Sequence, residues 1–420
     1  MYRRIIRFIS LLTAFVGAAV VATPSQAVPA YARQTGKACN TCHFQHYPAL
    51  NAYGREFKAG GYTDMGKQSL LKGSDLSLPS VLNASLFFKF RYQDTNGKDL
   101  EGDPSVASGE WQIPDEFALL FGGRVTENIG FMLEGQLADP DAPFLAGFKM
   151  PAMYKLGETD MKAGVVPYTT DALGASYGFE LLNTGAVRNV RINEHRAETS
   201  AQQYIGTATA ATGAAFVLWH PQFFANISRW TPNHAGDASG QKLSSTYVRA
   251  AYTPSVGDWD LGVGVQSWSG TAKDATGIGA NETKAWAVDF QAQGIVANLP
   301  VGVYLTHAKA AATSAGSSTP NLYNANPNAK TATTILGEVG ILPGKATLQL
   351  GYRRADTGSA APNPEDNAWT VGATYQFAQN VQLQVQHSSR SKGGAADVGR
   401  YEGTDVPGSS LTTFMLSAGF

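Results

Sequence analysis

Both cysteines of the 420-residue chain fall in one pentapeptide, Cys39-Asn40-Thr41-Cys42-His43. Two thiols one helical turn apart can both reach the vinyl groups of a haem and form thioethers. The histidine that follows is then directed at the iron as its proximal ligand. The other readings of C-x-x-C are a vicinal disulfide or a thioredoxin-like redox pair. The second needs a βαβ context, and nothing between residues 30 and 80 has that pattern. The spacing therefore predicts one covalent haem c, held by Cys39 and Cys42, with His43 as the iron ligand. Met65 follows a helical stretch and the Gly60-Gly61 turn, and is the candidate to fold back over the ring as distal ligand. A His/Met pair raises the reduction potential. A packing role for Met65, with the sixth position vacant, stays open. His46, three residues after His43, shares its helical face and reads as a polar neighbour. Arg33, Arg55 and Lys58 are the candidates to pair with the haem propionates, against a plain reading as solvated charges.

These groups need a scaffold. Pro48 to Tyr62 reads as a helix with Pro48 in the first position and Gly60 or Gly61 as the stop. Leu50, Tyr53 or Gly54, and Phe57 recur on one face, which would pack on a macrocycle, with Gly54 permitting close approach. A unit limited to residues 28–80 is too small to build much of a core without its cofactor. Ahead of it, Arg3, Arg4 and Arg7, the apolar run Phe8 to Ala22 and the Ser25-Gln26-Ala27 step form a signal-peptide pattern over 1–27. The mature chain then starts at Val28, outside the cytoplasm. An uncleaved anchor helix is the alternative, opposed by the short run and by Pro24.

The remaining 340 residues set the class. Charged residues are 15% of the chain, against roughly 25% in ordinary soluble domains, and glycines number 45. Basic and acidic residues balance at 32 and 33, which excludes the basic footprint of a nucleic-acid binder. Past residue 27 no stretch approaches the ~20 apolar residues of a membrane-spanning helix. From about Val81 the hydrophobic period is two. Val381 to His387, Trp369 to Phe377 and Ala346 to Arg353 alternate without a break. Trp286, Val288, Phe290 and Ala292 oppose Asp289, Gln291 and Gln293. Ala84, Leu86, Phe88, Phe90 and Tyr92 oppose Ser85, Phe87, Lys89 and Arg91. A soluble sandwich also alternates, so the connections decide. Short turns fall near Glu127-Asn128, Gly157-Glu158, His220-Pro221, Pro254 to Gly257, Leu299-Pro300, Pro343-Gly344 and Gln379-Asn380. Between them lie longer polar loops at 94–113, 139–145, 167–209, 231–244, 270–282, 310–331, 355–366 and 391–410. Seven short turns and eight long loops connect sixteen strands, with room for two more inside 167–209. Short turns on one side and long loops on the other, with Tyr252, Trp259, Trp286 and Trp369 near strand ends, are the marks of a membrane barrel. The predicted fold is all-β: a transmembrane antiparallel β-barrel of about 16 strands over 81–420, with a small N-terminal α-helical c-type haem domain over 28–80. Both chain ends fall on the short-turn, periplasmic side.

A sixteen-stranded barrel encloses a polar lumen wide enough for a channel, and a small haem unit has the size to plug it. The apolar band is ~25 Å tall, so a haem inside the lumen bridges two aqueous sides that a purely periplasmic haem does not. The chain then reads as an electron conduit. The segments Ala30-Tyr31-Ala32-Arg33-Gln34-Thr35-Gly36, Cys39 to His43, Pro48-x-Leu50-Asn51-x-Tyr53-Gly54-Arg55-x-Phe57-Lys58 and Gly61-Tyr62-Thr63 resemble the fused monohaem cytochrome–porins of iron(II)-oxidising bacteria. The likeness is close over roughly 35 residues; the barrel matches in architecture and length. It implies an iron(II) oxidase or electron-transfer cytochrome of the bacterial outer membrane, with its haem plug at the periplasmic side or in the lumen. Extracellular Fe(II) would be the donor, a periplasmic c-type cytochrome the acceptor, and outer-membrane lipid the surroundings. The alternatives are a passive diffusion porin with a haem-containing plug or sensor, and an exporter of electrons to extracellular acceptors. Asp289, Glu134, His195 and His234 are the inward or loop groups able to meet iron(II), but none has ligand spacing and each reads as a solvated lumen or loop group. No Ser-His-Asp pattern, phosphate loop or zinc spacing is present.

Overall fold

The computed structural model describes residues 29–74, 76–96, 109–138, 143–184, 193–274, 276–390 and 409–420. The expected leader, 1–27, lies outside the described residues. The strands, in chain order, are β1 (Ala84–Thr95), β2 (Glu110–Arg124), β3 (Gly130–Gln136) and β4, which runs in two pieces, Leu145–Lys149 and Ala152–Lys155. They continue with β5 (Lys162–Thr170), β6 (Ala211–His220), β7 (Phe223–Thr231) and β8 (Ser245–Tyr252, resumed at Ser255–Val256). The second half comprises β9 (Trp259–Ser269), β10 (Ala285–Val296), β11 (Leu299–Ala310), β12 (Lys330–Leu342), β13 (Ala346–Asp356), β14 (Ala368–Ala378), β15 (Val381–Arg390) and β16 (Ser410–Gly419). Each pairs antiparallel with the next, and β16 closes the barrel on β1, Phe414 opposite Tyr92 and Leu416 opposite Phe90. The breaks in β4 and β8 fall at Pro151 and Pro254, residues that cannot donate to a ladder. Two small hairpins, Leu70–Lys72 with Ser77–Pro79 and Thr271–Lys273 with Ala280–Glu282, lie outside the barrel sheet.

Burial is inverted relative to a water-soluble protein. On β10, Asp289, Gln291 and Gln293 are buried while Trp286, Val288 and Phe290 are exposed. On β13, Leu350 is 55% exposed and Arg353 is fully buried. A closed sheet satisfies every backbone group internally, and an apolar outside with a polar inside is the arrangement lipid demands. This is a transmembrane barrel of the outer-membrane type. Tyr252 stands at its short-turn end and Trp286 and Trp369 at its long-loop end, all exposed, as an interfacial girdle requires.

Six of the seven expected short turns stand where the sequence places them. The turn expected at Leu299-Pro300 is instead Ala297-Asn298, with φ of 50° and 65°. Val296 pairs directly with Leu299, and Pro300 lies inside β11 opposite Ile295. A two-residue turn needs positive φ at both positions, which Asn supplies, while proline fits the start of a strand.

The 167–209 stretch holds no additional strands among its described residues. β5 runs to Thr170, and the chain then folds into the lumen. Inside it makes a 3₁₀ turn at Ala175–Tyr177 and two short helices, Arg196–Thr199 and Ala201–Ile205. Leu173, Tyr177, Phe179, Leu181, Leu182 and Ile205 are buried there against inward aromatic residues of the wall, Tyr168, Trp230, Tyr247 and Trp268. Buried ion pairs pin the loop. Arg249 of β8 holds Glu180 of the loop at 3.0 Å and Asp289 of β10 at 2.5 Å. Arg353 of β13 holds Glu198 at 3.3 Å and Asp366 at 2.6 Å. Lys89 and Arg91 of β1 each reach Glu194 at 3.2 Å. A buried pair of this kind is costly to break, about 3–5 kcal/mol, because the survivor stays charged and dry. The lumen expected to be polar and open is thus filled over part of its section by an apolar core.

Candidate haem site in the lumen

Residues 29–66 sit inside the barrel rather than beside it. Three short helices form there: α1 (Ala30–Thr35), α2 (Cys39–Cys42) and α3 (Ala52–Ala59). Gly36, with φ 69°, ends α1 in the left-handed conformation. The helix expected from Pro48 starts later, at Ala52. Asn51 caps it, its side-chain oxygen accepting from the Gly54 N–H at 2.9 Å, a stronger start signal than the proline. Wall contacts anchor the segment. Tyr31 Oη donates to Phe131 O at 3.3 Å, Asn183 of the inward loop exchanges two 2.8 Å hydrogen bonds with the Leu50 backbone, and His46 Nε2 meets Glu338 of β12 at 2.7 Å.

The single turn of α2 puts Cys39 and Cys42 on one side, both free and half-buried. Burial pushes both thiols up. They and His43 line a cavity of about 630 Å³, within the size range of cofactor sites. His43 Nδ1 lies 3.1 Å from Ala49 O and donates to it. Burial lowers the His43 pKa to about 4, against the pull of that hydrogen bond. The imidazole is therefore neutral, with Nε2 as its lone-pair nitrogen, the tautomer an axial iron ligand requires. Thiols, imidazole and cavity together fit a covalent haem c: Cys39 and Cys42 would hold it and His43 would ligate the iron.

Gly54 lies where α3 crosses α2; a Cβ there would overlap Cys42 O. Gly54→Ala is expected to destabilise the segment by about 1–3 kcal/mol and to lower haem incorporation, measured as the haem-to-protein ratio of the purified chain.

The other expected site residues divide. Arg33 donates to Ala84 O at 2.6 Å. Arg55 pairs with Asp260 of β9 and donates to Gln293 of β10. Neither lines the cavity; both tie the segment to the wall. Lys58 does line it, buried, with burial lowering its pKa to about 8 against the field of Glu180. Met65 also stays off the cavity wall. Gln34 donates to the carbonyls of Tyr62 and Asp64 at 2.7 and 2.8 Å and accepts from Gly66 N at 3.0 Å through its own carbonyl, which lays this stretch along α1. The methionine lining the cavity is Met132 of β3. It lies two residues from Glu134, hence on the same inward face, a signal legible in the strand pattern. His46 has both ring nitrogens engaged, by Tyr47 O and Glu338.

The iron(II) candidates are scattered. Asp289 is bound by Arg249 and by Thr184. His195 uses both ring nitrogens on Ser388 and Thr413, at 2.6 and 2.8 Å. His234 is held by Thr169 and Leu145 O. Among the described residues no three His, Cys, Asp or Glu side chains form a metal-binding group. Glu134 faces a second cavity of about 270 Å³, where Asp115, Glu116, Glu134, Asp171, Glu194 and Glu198 outnumber Lys89, Arg91 and Arg196. Tyr47, Phe87, Leu120 and Met132 belong to the walls of both cavities.

Fold and lumen define a porin-type barrel. The DcaP channel of Acinetobacter baumannii is similar at 12% identity and a TM-score of 0.46, covering 84% of this chain and 100% of that one. OmpT of Vibrio cholerae is similar at 11% and 0.44, covering 84% and 100%, and a mutant porin of Rh. blastica at 14% and 0.45, covering 81% and 100%. No protein-family model and no curated protein sequence matches the chain.

Proposed function

We propose that the chain is an outer-membrane electron conduit of the fused cytochrome–porin kind, oxidising extracellular Fe(II) and passing the electron to a periplasmic c-type cytochrome. One observation carries the reading: the two thiols and a neutral, correctly bonded imidazole line one cavity inside a closed barrel. When bound, the haem would supply a one-electron centre able to accept an electron from Fe(II). Cys39 and Cys42 would hold the group, and His43 would ligate its iron. The neighbouring cavity, with more carboxylates than cations, favours an approaching cation. A fixed iron site is not required for electron transfer at the haem edge.

The barrel alone supports the second reading, a passive diffusion porin with a plug. The inward loop and the N-terminal segment weigh against it, because both fill the lumen with buried side chains. Anaerobic mixing of the detergent-solubilised protein with Fe(II), followed by haem absorption, decides between them. Reduction by Fe(II) is expected. Reduction by dithionite but not by Fe(II) overturns the iron reading.

A further inference from the structure

We propose that Lys58 is the cation that receives a haem propionate, so that the propionate edge of the haem faces the lumen interior and the thioether edge faces the short-turn rim. This rests on the haem reading above.

The Lys58 side chain is 6% exposed, and its Nζ has no hydrogen-bond partner. An ammonium in that position is costly unless an anion meets it. Glu180 is the carboxylate whose field reaches Lys58, but Arg249 already holds it, at 3.0 and 3.1 Å. Lys149 of β4 lies in the coulombic field of Lys58 and is itself buried. It donates to Tyr177 O at 3.2 Å and lies 5.8 Å from the ring centre of Tyr62, itself a wall residue of the cavity. A buried lysine thus lines the cavity, and the acid whose field reaches it is already bound by Arg249. The other basic candidates are placed otherwise: Arg33 on Ala84 O, Arg55 on Asp260, Lys37 on Asp64 and Tyr53 at a position 37% exposed, and Lys345, which lines the cavity, exposed at the short turn after β12 and 5.6 Å from the Tyr375 ring centre.

The opposite edge is fixed by the thiols. Cys39 Sγ lies 3.6 Å from Gln379 O, in the short turn between β14 and β15. The haem is therefore set crosswise, with thioethers at the periplasmic rim and propionates toward Lys58, mid-barrel. A buried positive charge at the propionates favours the reduced, less positive haem and so raises the potential.

The test uses the full-length holoprotein in detergent, as wild type, Lys58→Met and Lys58→Arg. Intact mass first establishes covalent haem; a chain without haem overturns the underlying reading rather than this one. At the wild type's midpoint, Lys58→Met is expected to raise the ferric-to-ferrous ratio about tenfold, equivalent to about 59 mV for one electron. It should also shift the propionate bending modes in resonance Raman, and Lys58→Arg should restore both. A second measurement needs no variant: infrared spectra of wild type carrying haem ¹³C-labelled at the propionates should show an ionised carboxylate hydrogen-bonded to an exchangeable donor. Unchanged potential and propionate modes in haem-loaded Lys58→Met overturn the proposal, as does a labelled propionate that is protonated or free of a donor.

Discussion

In a His43→Ala chain, electron transfer from Fe(II) to the haem is expected to fall by more than about 100-fold while the barrel still forms. Loss of groups that merely orient a metal ligand costs 10–100-fold, and His43 is the ligand itself. The barrel does not depend on it: the His43 ring packs on Tyr47 and bonds to Ala49, both in the same segment. Anaerobic stopped-flow absorption gives the rate, and the heat-dependent migration typical of barrels in gels reports folding. The Cys39→Ala, Cys42→Ala double variant should lack the haem mass altogether. Unchanged Fe(II) reduction in His43→Ala would sink the haem assignment.

Replacing residues 172–209 by a short Gly/Ser turn is expected to open the part of the lumen that the loop fills, beside the N-terminal segment, with about a tenfold rise in single-channel conductance. The join is feasible because Thr170 and Ala211 are already cross-strand partners. The wall also stays charge-balanced without the loop. Arg249 keeps Asp289, Arg353 keeps Asp366, Lys89 keeps Glu116 at 2.9 Å and Arg91 keeps Asp115 at 2.9 Å. The four arginine and lysine side chains of those pairs are not stranded, which is the expensive outcome, while Lys149 gives up Tyr177 O and Lys58 the field of Glu180. Planar-bilayer recordings of wild type and deletion decide the matter. A wild type that already conducts like an open porin would favour the passive reading.

The barrel was legible because its signals are local. Alternation along Val381 to His387 or Ala346 to Arg353 needs no knowledge of neighbours, and a strand's period of two survives any tertiary context. The grouping of Cys39, Cys42 and His43 was legible for the same reason: they are adjacent in sequence and line one cavity. What local pattern could not supply was long-range. Arg33 and Arg55 look like propionate partners on a helix, but their targets, Ala84 and Asp260, are 51 and 205 residues away. The inward course of 171–184 was hidden because apolar residues in a loop, such as Leu173, Phe179, Leu181 and Leu182, announce burial without saying against what. Met65 lies off the cavity wall through a contact invisible in sequence, the hold of Gln34 on the 62–66 backbone.

The cavity wall includes Ser85 and Phe87 of β1 together with Ser417 and Gly419 of β16, the two strands whose pairing closes the barrel. The site is therefore complete only when the last strand has docked on the first. In kinetic terms it has nearly the greatest sequence separation the chain allows, and such pairings form slowly. Under the proposed function, a covalent tether at Cys39 and Cys42 would keep the cofactor with its own half of the pocket throughout that interval, which a group held by contacts alone could not manage. Loss of the final strand is accordingly a lesion of the proposed haem site as much as of the barrel, although it lies 367 residues or more from His43 in sequence.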